Sequence, residues 1–295
     1  MKKLPLILLI FLCLIPIAYA EDCGLLNLAS CIPEKLHSFF LNILNAPLIP
    51  LLNLTNSLMT EPVNFSLFSS LWAIMLYIIS LFYGILMLYA GFNFMISGYD
   101  PVKRNKAKDW FKNILIMIVL VQASYFLYLI VVDIGSLLTA GVMGLIDRHF
   151  FLITADNIIN IGLEFFFVIF YAITLLFTVF FLTLRYIFVA VGVVFAPLAI
   201  FFYFIPPLKS YGKLIFNFLG TCIFITFFDA IIFLVCSKLV EIPLFENVKI
   251  LVMIVAFSTS NFMMFYFMLF SALKSAINKA GSLAGTVASV AKWLG

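Results

Sequence analysis

"IINIGLEFFFVIFYAITLLFTVFFLTLRYIFVAVGVVFAPLAIFFYFI", residues 158 to 205, is an apolar block of 48 residues in which Arg185 is the one charge beyond the opening turns. As a single straight helix it would be about 72 Å long, at roughly 1.5 Å per residue. A bilayer core is only about 30 Å thick, so a block of this length must bend, tilt or run beyond the membrane. Arg185, Gly192 and Pro197 suggest where it bends. The reading is a crossing up to Arg185, followed by a broken or re-entrant segment from Tyr186 to Ile205. Such segments are tolerated where they face protein or a water-filled cavity. Pro206-Pro207 then ends the block.

The rest of the chain has the same character. It is 65% hydrophobic, with 36 Phe among 295 residues and a mean hydropathy of +1.23, which leaves too little polar surface for a water-soluble globule. An integral membrane protein follows, and apolar runs of this length fit helices rather than barrel strands. The net charge of +4 is too small to argue for nucleic acid by itself. The distribution of charge is more informative than its sum.

Residues 1 to 20 have a basic start (Lys2, Lys3), a short apolar run and the small-residue end Ala18-Tyr19-Ala20, the pattern of a signal peptide. Residues 21 to 66 then form an extracytoplasmic segment. Pro33, Pro47 and Pro50 break its apolar stretch, which suggests short interfacial helices rather than a crossing. Cys23 and Cys31 stand eight residues apart in this exported part, where a disulfide is permitted. Cys222 and Cys236 lie in an apolar span, where a buried, inert thiol is the expectation.

The polytopic domain covers residues 67 to 273, with further spans near 67–96, 111–146, 214–235 and 250–273. Between the first two lies SGYDPVKRNKAKDWFKN, residues 97 to 113, which holds Lys103, Arg104, Lys106, Lys108 and Lys112. Basic loops stay on the cytoplasmic side. That rule puts this stretch, the loop at Lys209 and Lys213, and the tail 274–295 inside, with the N terminus outside. The expected fold is all-α: five crossings plus the broken segment, with six crossings as the alternative. The expected location is the cytoplasmic (inner) membrane of a prokaryote. The basic cluster is first a topological anchor that attracts anionic headgroups, and second a surface for a cytoplasmic ATPase or nucleic acid.

No Walker loop, dinucleotide fingerprint or metal-type grouping is present, and His37 and His149 stand alone, so neither an enzyme, a cofactor nor a metal site is expected. Ionisable or polar residues at membrane depth are the pathway candidates: Gln122, Asp133, Glu164, Arg185 and Asp229. The three carboxylates would fall in the outer half as a vestibule. Against this, Glu164 can sit at the interface, Arg185 can snorkel from a cytoplasmic boundary, and the two Asp residues can be helix–helix hydrogen bonds.

Two stretches carry a resemblance. YAGFNFMISGYDPVKRNKAKDWFKNILIMIVLV, Tyr89 to Val121, resembles the cytoplasmic hairpin of small membrane subunits of type IV secretion systems, including the pilin type. RYIFVAVGVVFAPLAIFFYFIPPLKSYGKLIFNFLG, Arg185 to Gly220, resembles the central block of the polytopic TrbL-type subunit, with Pro197-Leu198-Ala199, Pro206-Pro207 and Lys209 at the matching places. The resemblance implies a channel or platform subunit of a conjugation or DNA-transfer machine. It would be a homo-oligomer that works with pilin-type proteins and cytoplasmic ATPases and passes DNA or protein. A small-solute secondary transporter would favour an internal repeat, and the chain shows none. A non-conducting scaffold is the remaining alternative.

Overall fold

A computed structural model of the chain describes residues 28–153, 161–246, 248–268 and residue 270. The signal peptide, Cys23, the loop 154–160 and the tail therefore lie outside the described residues, and so do the side chains of Cys31 and Glu164.

Among the described residues the fold is helical throughout, and five helices are long and apolar enough to span a membrane. The chain is thus a multi-pass membrane protein. Helix α1 is Leu28–Thr60, α2 is Ser69–Ile96, α3 is Pro101–Met143, α4 is Ile161–Phe204 and α5 is Lys209–Val240. A single turn at Pro243–Glu246 precedes α6, the span Lys249–Met268. The five spanning helices are α2 to α6.

Helix α4 is the hub. Half of its most apolar stretch is buried, against 6% for that of α2, which lies at the edge of the bundle. Helices α3, α4 and α5 pack against one another, and α1 and α6 complete the main core through Leu48, Met59, Met253 and Phe257. A smaller cluster fastens α2 to this body through Ile79, Ile114, Met117 and Phe201.

The elbow between α2 and α3 has a local cause. Pro101 opens α3 at a position where its missing N–H costs nothing, and the Asp100 carboxylate accepts from the Val102 and Lys103 N–H groups. At the far end of α4, the chain leaves the helix at Phe204, makes a turn at Pro206–Leu208 and enters α5 at Lys209. Gly212 lets α5 start close against this end, since a Cβ there would lie 2.4 Å from the Tyr203 nitrogen.

Two expectations are corrected. The block 158–205 contains no broken or re-entrant segment among its described residues: α4 runs unbroken from Ile161 to Phe204 with Pro197 inside it, so a second crossing within the block is excluded as well. The Val193 carbonyl loses its usual N–H donor and meets the proline ring instead, a cost of about 3 kcal/mol. The buried stripe Val189, Val193, Ala196 and Ala199 keeps both halves of the helix packed across that point. Its 44 residues make about 66 Å, so α4 tilts or continues beyond the hydrocarbon. Gly192 is likewise not a break. A Cβ there would meet the Tyr128 hydroxyl at 2.2 Å and Leu219 at 2.7 Å, so the glycine is where α3 and α5 close on α4.

The second correction concerns α1, which Pro33, Pro47 and Pro50 do not divide into short pieces. Leu48, Thr55 and Met59 are buried in the bundle. Asn45 pairs with the backbone of Ile153 in both directions, donating at 3.0 Å and accepting at 3.2 Å. Tertiary contacts thus hold together a helix that its prolines weaken locally.

Candidate functional site

The chemistry at membrane depth is concentrated on one face of α5. Cys222, Thr226, Asp229, Phe233 and Ser237 are all buried there, at the three- and four-residue spacings that share a helix face. This face meets α3, α4 and α6 and forms a polar seam through an otherwise apolar core.

Arg185 stands at one end of the seam and is only 2% exposed. Its Nε donates to the Cys222 carbonyl at 2.7 Å, Nη2 to the Ile223 carbonyl at 3.1 Å and Nη1 to the Leu58 carbonyl of α1 at 3.4 Å. The residue does not snorkel, and it does not sit at a boundary. Cys222 is thirteen residues into α5, about 20 Å from its start, which is near mid-depth for a spanning helix. Three carbonyl dipoles replace the water that a guanidinium would otherwise require.

Two turns along α5, Asp229 is fully buried and accepts a hydrogen bond from Ser260 of α6 at 2.8 Å. Its second oxygen has no partner among the described residues. Between the two charges, Thr226 and Thr139 of α3 approach at 3.3 Å, while Thr139 donates to the Gly135 carbonyl. Asn261 of α6 donates to the Thr174 carbonyl of α4 at 2.9 Å. Arg185 and Asp229 do not form an ion pair, yet the bundle encloses one charge of each sign along one line. That arrangement lowers the cost of each in a medium of low dielectric.

The vestibule of three carboxylates is not formed. On α3, Val132, Gly135, Ser136 and Thr139 face inward, whereas Asp133 is exposed on the outer surface of the bundle. Asp133 and Asp229 therefore lie on opposite sides of α3's packed face. Gln122 is also exposed, eleven residues earlier and so on the same side of the helix as Asp133. Val119, Phe126, Ile130 and Leu137 complete that side. Neither side chain has a hydrogen bond or ion pair among the described residues.

The elbow cations Lys103, Arg104, Lys106, Lys108 and Lys112 are exposed. Ser260, Thr226, Thr139 and Tyr128, whose hydroxyl donates to the Val189 carbonyl at 2.7 Å, escaped the sequence reading. Of these only Thr226, three residues before Asp229 on the same helix, carried a signal in the sequence; the others lie on α3 and α6. Among the described residues there is no group of three His, Cys, Asp or Glu that could hold a metal.

Comparison with known proteins adds no relative. No family model matches the chain, nor does any curated protein or solved structure.

Proposed function

We propose that this chain is a membrane subunit of a larger transfer assembly of the type IV secretion kind, serving as a platform or channel component for DNA or protein. The observation that carries the reading is the exposed pair Gln122 and Asp133 on an otherwise apolar side of α3. Counted from Phe111, Gln122 lies about 17 Å along α3, within the hydrocarbon, and Asp133 about 33 Å along it, at the far edge. Both are costly against lipid, and the chain offers their side chains no partner of its own among the described residues. A second chain against this side would supply one. An outward polar face suits a subunit better than a self-sufficient transporter. The helix–elbow–helix form of Tyr89 to Val121, and the likeness of Arg185 to Gly220 to the TrbL-type block, favour the secretion assembly over other multi-subunit membrane complexes. Under this reading the basic elbow faces the cytoplasm and its ATPases, and cargo moves between subunits rather than through the core of one.

Purification of the tagged chain from its own membranes tests the proposal. Co-purification of secretion subunits and their ATPases is expected, together with a self-associated form that D133L/Q122L reduces to monomer. A chain that purifies alone as a monomer, or that takes up small solutes in liposomes without partners, would overturn it. The second reading, a secondary transporter, draws on the unpartnered oxygen of Asp229, and the liposome assay decides between the two.

A further inference from the structure

At the elbow, the end of α2 and the start of α3 enclose a groove of about 700 Å³. Its floor exists because side chains are missing. A Cβ added at Gly91 or Gly98 would meet nothing within 4 Å. Phe94 and Phe111 form apolar walls, and Arg104 and Lys108, one turn apart on α3, stand at its rim. We propose that this groove binds one anionic phospholipid, with the phosphate held by Arg104 and Lys108 and an acyl chain lying over Gly91 between the two phenylalanines.

Three observations favour that occupant. The side chains of Arg104 and Lys108 make no hydrogen bond or ion pair among the described residues, whereas the neighbouring Lys103 ammonium lies 3.9 Å from the Asp100 carboxylate. The Arg104 guanidinium lies 5.9 Å from the centre of the Phe94 ring, which holds it over the groove, where its planar fork can accept a phosphate. The elbow between two spanning helices also lies at a membrane surface, where headgroups are. Arg104 and Phe111 are separated by about 10 Å along α3, which is comparable to the step from the headgroup layer into the hydrocarbon. A cavity charged at its rim and apolar at its floor has the polarity of a phospholipid. A nucleic acid or an acidic protein would instead draw equally on Lys103 and Lys106, which do not line the groove. The site depends on the membrane hairpin alone, whatever assembly the chain joins.

Native mass spectrometry of the full chain, released from micelles doped with phosphatidylglycerol and phosphatidylcholine, tests the site. The unaltered protein should retain one phosphatidylglycerol, with a preference of about tenfold over phosphatidylcholine. R104Q/K108Q should lose that preference, while K103Q/K106Q, which removes the same charge, should keep it. Gly91→Phe should also lose the lipid with every charge in place. Equal loss in the two double variants would mean diffuse attraction and overturn the proposal. So would the absence of any preference in the unaltered protein, or displacement of the lipid by a short oligonucleotide. Gel filtration checks that each variant is folded. If Gly91→Phe aggregates, the two double variants decide the matter alone.

Discussion

Replacing Arg185 by Met should destabilise the bundle by about 3–5 kcal/mol, the range for removing one partner from a buried charged network. The substitution removes the hydrogen bonds to the Cys222 and Ile223 carbonyls, at 2.7 and 3.1 Å, and the longer one to Leu58 at 3.4 Å. Hydrogen bonds to a charged group contribute roughly 1.5–3 kcal/mol each, so the two short ones alone account for that range. Asp229 would then be left in the core without a compensating cation. It lies seven residues beyond Cys222 on α5, about 10 Å along the axis, which at an effective dielectric of about 20 corresponds to roughly 2 kcal/mol of attraction. A double-mutant cycle isolates this part. The unfolding free energies of the original chain, R185M, D229N and R185M/D229N are measured by titration with a denaturing detergent in mixed micelles. The double variant should be more stable than the sum of the single effects by about 2 kcal/mol. A R185M loss below about 1 kcal/mol would refute the burial argument, because surface substitutions fall in that range. Strict additivity would refute the electrostatic link and leave Arg185 held by carbonyls alone.

Three further outcomes follow from packing and hydrogen bonding. Gly192→Ala should cost about 1–3 kcal/mol, because its Cβ would collide with Tyr128 and Leu219, and Tyr128→Phe in the same chain should recover part of that loss. By contrast, Gly84→Ala meets nothing within 4 Å and should be neutral or stabilising by up to about 1 kcal/mol in the same unfolding assay. Asn45→Ala removes both bonds to Ile153 and should raise hydrogen exchange at the Ile153 amide while leaving α4 protected. Unchanged exchange would mean that packing at Leu48 and Met59 holds α1 without the amide.

Some of the architecture was legible because it depends on local chemistry. Asp100 caps α3 and Pro101 opens it, and at Pro206-Pro207 two successive residues lack an N–H donor just beyond the end of α4, so both turns follow from local backbone chemistry. Pro197 and Gly192 misled for the opposite reason. The lost hydrogen bond and ring clash of a proline inside a helix can be offset when packing holds both sides, and a glycine that looks like a weak point can be the place where a tyrosine hydroxyl fits. The prolines of α1 obey the same rule, with Asn45 and the buried Leu48 and Met59 supplying the hold. In the candidate site, Arg185 and Asp229 stood out as charges in apolar spans, but Ser260 and Thr139 could not, because short hydroxyl residues are common in such helices.

The amino-acid order by itself determined that the chain lives in a membrane, that its spans are helices, and where the basic elbow turns, because these depend on hydropathy and on the backbone limits of single residues. That the block 158–205 crosses once as one helix was decided by packing. Which way each polar residue faces was decided only by the tertiary structure. Helices that are apolar all round have no wet side to orient them, so periodicity carries no direction. Packing at Gly135, Gly192 and Gly212 set the rotation of α3, α4 and α5, and that rotation placed Asp229 inside and Asp133 outside.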